Sequence, residues 1–429
     1  MRMRDLHIGM LYGDPSDAET FGHRLALRGG YIHQTGAGLY TISSLGLMVL
    51  HNIEAVVRRE MNRIGCQEIS MPIVSPASIW MESGRYNSVD VLLKFKTKSG
   101  AEAVLNPTHE EIVCEYVRTF LRSYRQLPFT LYQIQTKYRD ELRVRAGLIR
   151  CREFIMKDAY SFHRSQEDLR DFYKNMLEAY GTIYKKVGLT NMKIVAGAVG
   201  DMGGEVSHEF QMISEIGEDT LHICSSCDYG CNEETFLGSK DSNSCPRCGK
   251  KLNRVRGIEV GNIFQLGDRY TKAMNVVYSD EFGKKLSPVM GCYGIGIGRT
   301  MACLMEQTAD GGGGKLWNMA VAPYKLHIVT VGNSEEVVSN SEKLYRSMQD
   351  GGVATIIDDN AERIGSKLAS AELMGAPLLA IISDRNISNE IVEMKYGNVG
   401  ESYPVTLPLP SAVDEINKFV ANELKIIGQ

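Results

Sequence analysis

Two cysteine pairs constrain this chain more than any other feature. Cys224-Ser-Ser-Cys227 and Cys245-Pro-Arg-Cys248 leave 17 residues between the inner cysteines. That spacing lies within the range of a structural zinc ribbon. Asp228 and Gly230 beside the first pair, and Pro246 and Gly249 in and after the second, supply turns for two knuckles. Four thiolates close the coordination sphere, so the expected role is structural rather than catalytic. Cys231 is left as a spare thiol. Four buried cysteines without metal are the plainer alternative, and the polar surroundings weigh against it. Ten cysteines in a chain that starts without an export signal argue against a disulfide framework and for a cytoplasmic setting.

Length and charge narrow the classes further. At roughly 150 residues per domain, 429 residues suggest two or three domains. No apolar run reaches the roughly 18 residues of a membrane span, so no membrane partner is expected. A net charge of −4 excludes a uniformly basic nucleic-acid coater. It leaves room for a nucleic-acid enzyme with local basic surfaces.

The two ends of the chain differ in texture. From Leu326 onward, strand patterns alternate with helix patterns: Leu326–Val331, a helix from Ser334 to a stop at Gly351, Val353–Ile357, a helix over Glu362–Met374, then Leu378–Ile382. Ser411 with Asp414 three residues on has capping-box spacing for a last helix. Such alternation predicts a small α/β domain after the Gly311–Gly314 run, the most linker-like spot. The first 300 residues mix long helices with strands irregularly, an α+β texture. Val49, Ile53, Val56, Glu60 and Ile64 trace one helix face, and Ser165-Gln-Glu-Asp168 opens another helix that ends at Gly188. Met71–Val74 and Thr130–Thr136 read as strands.

Two stretches carry candidate chemistry. From Lys137 to Lys157 the local charge is +4, set by Lys137, Arg139, Arg143, Arg145, Arg150, Arg152 and Lys157 against three acids. Strand-like flanks make this a hairpin with a basic loop, and arginine forks match phosphate oxygens in pairs. A solvated charged hairpin is the plain alternative. Met290-Gly-Cys-Tyr-Gly-Ile-Gly-Ile-Gly-Arg299 runs glycines into an apolar helix. The glycines let a backbone approach a ligand, and Arg299 would meet an anion; alone, the pattern also fits a tight strand-to-helix junction.

In order, these segments resemble motifs 1, 2 and 3 of class II aminoacyl-tRNA synthetases: a helix leading to a strand with Pro72, Arg139-x-Glu141 with Arg152-Glu-Phe154, and the glycine segment ending in Arg299. Asn106-Pro-Thr-His-Glu-Glu111, Tyr132–Glu141, Arg152–His163, Ser207-His-Glu-Phe-Gln211, Gly257–Gly267 and Gly291–Gly296 are similar to those of bacterial-type prolyl-tRNA synthetases. The resemblance runs from about Thr20 nearly to the end.

It implies an α+β catalytic domain with an antiparallel sheet, a short zinc-ribbon-like insertion and a C-terminal α/β anticodon-binding domain. The expected boundaries are 1–212 and 254–320 for the catalytic parts, 213–253 for the insertion and 321–429 for the anticodon-binding domain. The implied activity joins L-proline to AMP from ATP and passes prolyl to tRNA(Pro), with Mg2+ at the nucleotide, structural Zn2+, and a homodimer built around motif 1. By resemblance, Arg139 holds the α-phosphate and the proline carboxylate, and Arg299 the γ-phosphate. Glu141 reads the adenine amino group, Phe154 stacks on the ring, and Arg150 joins the ATP site. Glu259 and Asn262 sit near ribose and metal. Thr108 and Glu110 meet proline's ammonium, with His163, Phe264 and Cys292 around the pocket.

Each of these has a plainer reading. Thr108-x-x-Glu111 also fits a helix capping box. His163 and Phe264 fit simple packing, and Cys292 a small apolar residue. Asn106 departs from the family's usual glycine and puts the loop's backbone in question. Arg363 and Lys367 are the expected tRNA contacts in the last domain, with a solvated surface as the alternative.

Only about 40 residues separate Gln211 from Asn253, too few for the long editing domain that many bacterial members carry there. The expectation is an enzyme without cis editing of alanyl-tRNA that relies on a separate trans-editing hydrolase. A small apolar competitor is rejected by binding alone by only roughly 1–3 kcal/mol. A catalytically silent tRNA-binding paralogue is the alternative, and the retention of Arg139, Glu141, Phe154 and Arg299 weighs against it. A zinc-ribbon nucleic-acid binder leaves six ordered segments unexplained. Threonine or serine specificity would call for a second metal-ligand set or a charged pocket, which the sequence lacks.

Overall fold

Helix 165–188 shows how local sequence writes an element here. Ser165 accepts from the Asp168 N–H, Gln166–Val187 is helical, and Gly188 closes it with a positive φ of 96°. A computed structural model describes residues 1–11, 13–16, 18–204, 206–238, 244–310, 316–396 and 403–428. The Gly311–Gly314 run lies outside them.

The centre is a sheet of nine strands: β1 Gln67–Glu68, β2 Phe129–Tyr138, β3 Glu153–His163, β4 Met192–Gly197, β5 Val206–Ile213, β6 Asp219–Cys224, β7 Gly230–Asn232, β8 Leu252–Gly267 and β9 Val289–Gly296. Their order is β5-β4-β7-β6-β8-β9-β3-β2-β1, with β5 also paired to β8. Only β1–β2 and β4–β7 are parallel. The basic hairpin is therefore the β2–β3 pair, in register from Phe129↔Phe162 to Tyr138↔Glu153. Helices α1 Ser44–Arg63, α2 Glu110–Phe120, α3 Gln166–Val187 and α4 Ile297–Glu306 flank it. Val49, Ile53 and Val56 are fully buried with Tyr180, Ile183 and Met301 in one core. Glu60 is buried on the same face and is paired by Arg63 at 2.7 Å and Lys186 at 2.8 Å. Helix α4 follows β9 directly.

Three local expectations shift. Met71–Ile73 carries no ladder; the strand there is Val74–Pro76, because Asn106 and Gln133 side chains rather than a neighbouring strand hold Met71 and Pro72. The Thr108–Glu111 capping box does not form: His109 is the N-cap, and the Glu111 carboxylate is taken by Arg85 and Ser83. The Ser411 cap also fails, since Ser411 is already in helical φ/ψ and its hydroxyl bonds the Pro408 carbonyl. Segment 213–253 joins the central sheet through β6, which pairs along β8 from Asp219↔Gly257 to Cys224↔Leu252.

The C-terminal sheet has five strands: β10 Leu326–Val331, β11 Thr355–Asp358, β12 Leu378–Ser383, β13 Ile391–Tyr396 and β14 Tyr403–Pro408, ordered β11-β10-β12-β13-β14. The first three strands are parallel and the last two antiparallel. Helices α5 Glu335–Asp350, α6 Ile364–Met374 and α7 Ala412–Ile426 accompany it. Trp317 Nε1 donates to Tyr31 Oη at 2.8 Å, and Tyr31 donates to the Met374 carbonyl at 2.9 Å, tying this sheet's α6 to the first core. No helix among the described residues is long and apolar enough to cross a membrane.

Candidate active site

Strands β3, β8 and β9, with Arg139 just past the end of β2, line a cavity of about 320 Å³. Antiparallel pairing puts residues from distant segments side by side there: β9 lies between β8 and β3, with Phe264↔Cys292 and Cys292↔Tyr160 in register. Of the twelve residues assigned to ATP and proline, the cavity gathers all but His163.

One wall is cationic. Arg139 follows β2, its guanidinium 5.1 Å from the Phe154 ring, and it donates no side-chain hydrogen bond among the described residues. Burial and the nearby Arg299 both disfavour its charge, so its pKa is lowered. Arg299, one turn into α4, donates to the Ile149 carbonyl at 2.8 Å and the Glu259 carbonyl at 2.6 Å. Two guanidinium groups held together without a carboxylate salt bridge form a site for a polyanion. Arg150 is committed differently: it bonds Glu141 at 2.9 Å and Glu218 at 2.7 Å, so it orients Glu141.

A second wall is acidic and polar. Thr108 donates to Glu110 at 2.5 Å, and Arg85 stands 3.7 Å from Glu110 and 3.0 Å from Glu111. Burial is the largest influence on Glu111 and raises its pKa despite Arg85. Phe264, Tyr160 and Cys292 complete this end. Burial and Glu110 push the Cys292 thiol far up, so it acts as a neutral, small wall. Asn106, where a glycine was usual, does not sit in the left-handed region. Its amide donates to the Pro72 carbonyl at 3.0 Å and accepts from Ser75 at 2.6 Å and Trp80 at 3.2 Å. The side chain thus braces the loop.

Between the walls lie Glu259 and Asn262. Asn262 donates to Glu259 at 2.9 Å and accepts from Ser207 at 3.1 Å. Burial raises the Glu259 pKa in spite of Arg299. Behind it, burial and then Glu259 push Glu209 up to about 8. Sequence reading missed Arg85 and Asp158, which line the cavity, and the supporting roles of Glu209 and Lys137 behind it. Asp158, Glu209 and Lys137 lie inside the quoted motifs, but Arg85 had no signal at all.

His163 is not at the cavity: it is buried against Phe172, its Nδ1 3.2 Å from Asp168. In the C-terminal domain Arg363 is exposed at the N-cap of α6. Lys367 is not a free cation. It is buried, and its ammonium donates to Thr330 O at 2.8 Å and to Thr330 Oγ1 and Asp358 O at 3.2 Å.

The four knuckle thiols lie within 4.8 Å of one another, with Cys224–Cys248 and Cys227–Cys245 both at 3.5 Å. Tetrahedral Zn–S bonds of about 2.3 Å call for sulfur separations close to these. The Ser226 N–H donates to the Cys224 sulfur at 3.4 Å, a contact that suits a thiolate. Cys231 is buried outside the cluster.

The family described as "tRNA synthetase class II core domain (G, H, P, S and T)" matches residues 93–308, and "Anticodon binding domain" matches 325–419. A proline–tRNA ligase of Ehrlichia ruminantium is 38% identical over 409 residues, 92% of this chain and 95% of the relative. That of Sulfurimonas denitrificans is 38% identical over 426 residues, 95% and 97% of the two chains. That of Halothermothrix orenii is 30% identical across 570 positions, 98% of this chain and all of the relative. The last alignment is far longer than the 429 residues available here. Among solved structures, prolyl-tRNA synthetase from Cryptosporidium parvum complexed with L-proline and AMP superposes with a TM-score of 0.75 at 17% identity, over 97% of this chain and 78% of that one. The Giardia lamblia enzyme in complex with prolyl-adenylate gives 0.76 at 18%, over 94% and 79%. At that identity the likeness speaks for the fold.

Proposed function

This chain belongs to the proline–tRNA ligases, class II aminoacyl-tRNA synthetases, and from that premise we propose how its own residues carry the reaction. It activates L-proline with ATP and transfers the prolyl group to tRNA(Pro). A proline carboxylate oxygen attacks the α-phosphorus, the bond to the bridging oxygen breaks, and pyrophosphate leaves. A terminal ribose hydroxyl of the tRNA then attacks the acyl carbon, and AMP leaves.

The carboxylate is already a nucleophile, so activation needs alignment and charge neutralisation rather than a general base. Arg139 holds the α-phosphate beside the carboxylate, and Arg299 holds the γ-phosphate. Phe154 stacks on adenine, and Glu141, fixed by Arg150, accepts from its amino group. Thr108 and Glu110 receive proline's secondary ammonium, while Phe264 and Cys292 limit the space around its ring. Glu259 and Asn262 offer hard oxygen donors between the cationic and acidic walls, a set that suits Mg2+. When bound there, the ion neutralises phosphate charge. The arrangement of Arg139 and Arg299 on one cavity with Glu110 opposite is the observation that carries this assignment.

The four-thiolate cluster holds one structural Zn2+, which fits its geometry. The enzyme works in the cytoplasm as a homodimer through the motif 1 elements around α1. With the chain passing from β5 to β8 in so few residues, it edits nothing in cis, and alanyl-tRNA(Pro) is left to a separate hydrolase. Arg363 contacts the tRNA, and Lys367 shapes the floor beneath it.

Proline-dependent ATP–pyrophosphate exchange across all twenty amino acids tests the assignment. Exchange with proline, weaker exchange with alanine and none with threonine or serine is expected. Exchange that follows threonine or serine, or none at all, overturns it. Efficient alanyl-tRNA hydrolysis by the purified chain would overturn the editing assignment.

A further inference from the structure

The insertion does more than carry four thiols. The Cys224–Cys227 knuckle joins β6 to β7, and β7 ends on Asn232, opposite Leu221. Asn232 uses its amide twice. Its Oδ1 accepts from the Thr235 N–H at 2.9 Å, capping the short helix Glu233–Leu237, and its Nδ2 donates to Glu209 Oε1 at 2.8 Å. The other oxygen, Oε2, accepts from Gln211 Nε2 at 2.9 Å, and that same nitrogen donates to Asp219 at 2.8 Å. Gly197 on β4 leaves the space, since a Cβ there would stand 2.8 Å from Glu209 Oε1. A buried carboxyl group is thus held on both oxygens by neutral amides, one of them lent by the insertion. No lysine or arginine pairs with it among the described residues. Directly across the β5–β8 ladder from Glu209 stands Asn262, the donor to Glu259.

We propose that Asn232 is a positioning residue for the nucleotide's divalent ion: it fixes Glu209, which backs the Asn262–Glu259 donor pair and so couples the four-cysteine hairpin to the nucleotide site. The proposal rests on the assignment of Glu259 and Asn262 as the ion's oxygen donors. Outer partners of metal ligands typically change affinity by about 10–100-fold when removed. Asn232 also has a purely structural duty as a helix cap, and chemistry separates the two. Serine keeps a capping oxygen but lacks the Nδ2 donor; alanine lacks both.

The test uses the full chain with Mn2+ and a non-hydrolysable α,β-methylene ATP, counting bound Mn2+ by electron paramagnetic resonance. Asn232→Ser and Asn232→Ala are both expected to weaken Mn2+ binding about 10-fold or more. In exchange assays they should raise the Mg2+ requirement, leave the proline KM within about twofold, and recover kcat at high Mg2+. If Asn232→Ser binds Mn2+ like wild type while Glu259→Gln does not, the coupling is overturned and the donor assignment stands. Should Glu259→Gln itself bind Mn2+ normally, the donor assignment is overturned, and the proposal with it.

Discussion

Lys137 and Asp158, on neighbouring strands, form a buried ion pair of 2.8 Å at the floor of the cavity, which Asp158 lines. Asp158 Oδ2 also accepts from Tyr160 Oη at 2.8 Å, and Tyr160 Oη accepts from the His109 N–H at 2.9 Å. The pair therefore anchors the loop that presents Thr108 and Glu110. Removing one partner of such a buried pair costs about 3–5 kcal/mol, because the other is left uncompensated. Lys137→Met is expected to lose stability on that scale in urea unfolding. It should also raise the proline KM more than the ATP KM, a split that general loosening would not produce.

Arg85 braces the same pocket from the other side. Its charge-assisted bonds to Glu111 and its approach to Glu110 are those of a buried fork, which lysine cannot reproduce. Arg85→Lys should raise the proline KM by roughly tenfold, the loss of about one charge-assisted hydrogen bond, with the ATP KM little changed. Steady-state exchange kinetics with each substrate varied in turn measure the split.

The four-cysteine cluster predicts one zinc per chain by elemental analysis. Cys245→Ser should lower zinc content and expose β6 and β7 to amide exchange, while the C-terminal sheet stays protected. Equal protection in both would mean that the ion does not organise the hairpin.

His327 lies fully buried on β10, and burial alone holds its pKa down to about 4. The unfolded side chain takes up its proton near pH 6.5, so the folded state binds fewer protons between the two values. Stability from this residue is complete above about pH 6.5 and is lost as pH falls toward 4, about 3 kcal/mol in all. His327→Leu should therefore gain relative to wild type as pH drops through that window. Amide-exchange protection of the C-terminal sheet at pH 7 and pH 5 compares them.

Much of this was legible in sequence because a few residues dominate local choices. Ser165 and Gly188 bound one helix, and the glycine segment before Arg299 marks a strand-to-helix junction. The cysteine spacing brought four thiols together as expected. What failed depended on competition between partners far apart in the chain. Glu111 looked like a capping residue until Arg85, 26 residues away, took its carboxylate. His163 looked like a pocket residue, but Phe172 and Asp168 hold it away. Lys367 looked like a free cation, but three oxygen acceptors from Thr330 and Asp358 converge on it. Asn232 gave no signal, since its partner Glu209 is met only through the sheet.

Single-turnover formation of prolyl-adenylate measures alignment by the two arginines most directly. Removal of a preorganised donor at the reacting charge typically costs about 100- to 1,000-fold. Arg139→Ala and Arg299→Ala should each lose at least about 100-fold in that step while remaining folded, and His163→Ala should stay close to wild type. Wild-type adenylate formation by Arg139→Ala would contradict the account.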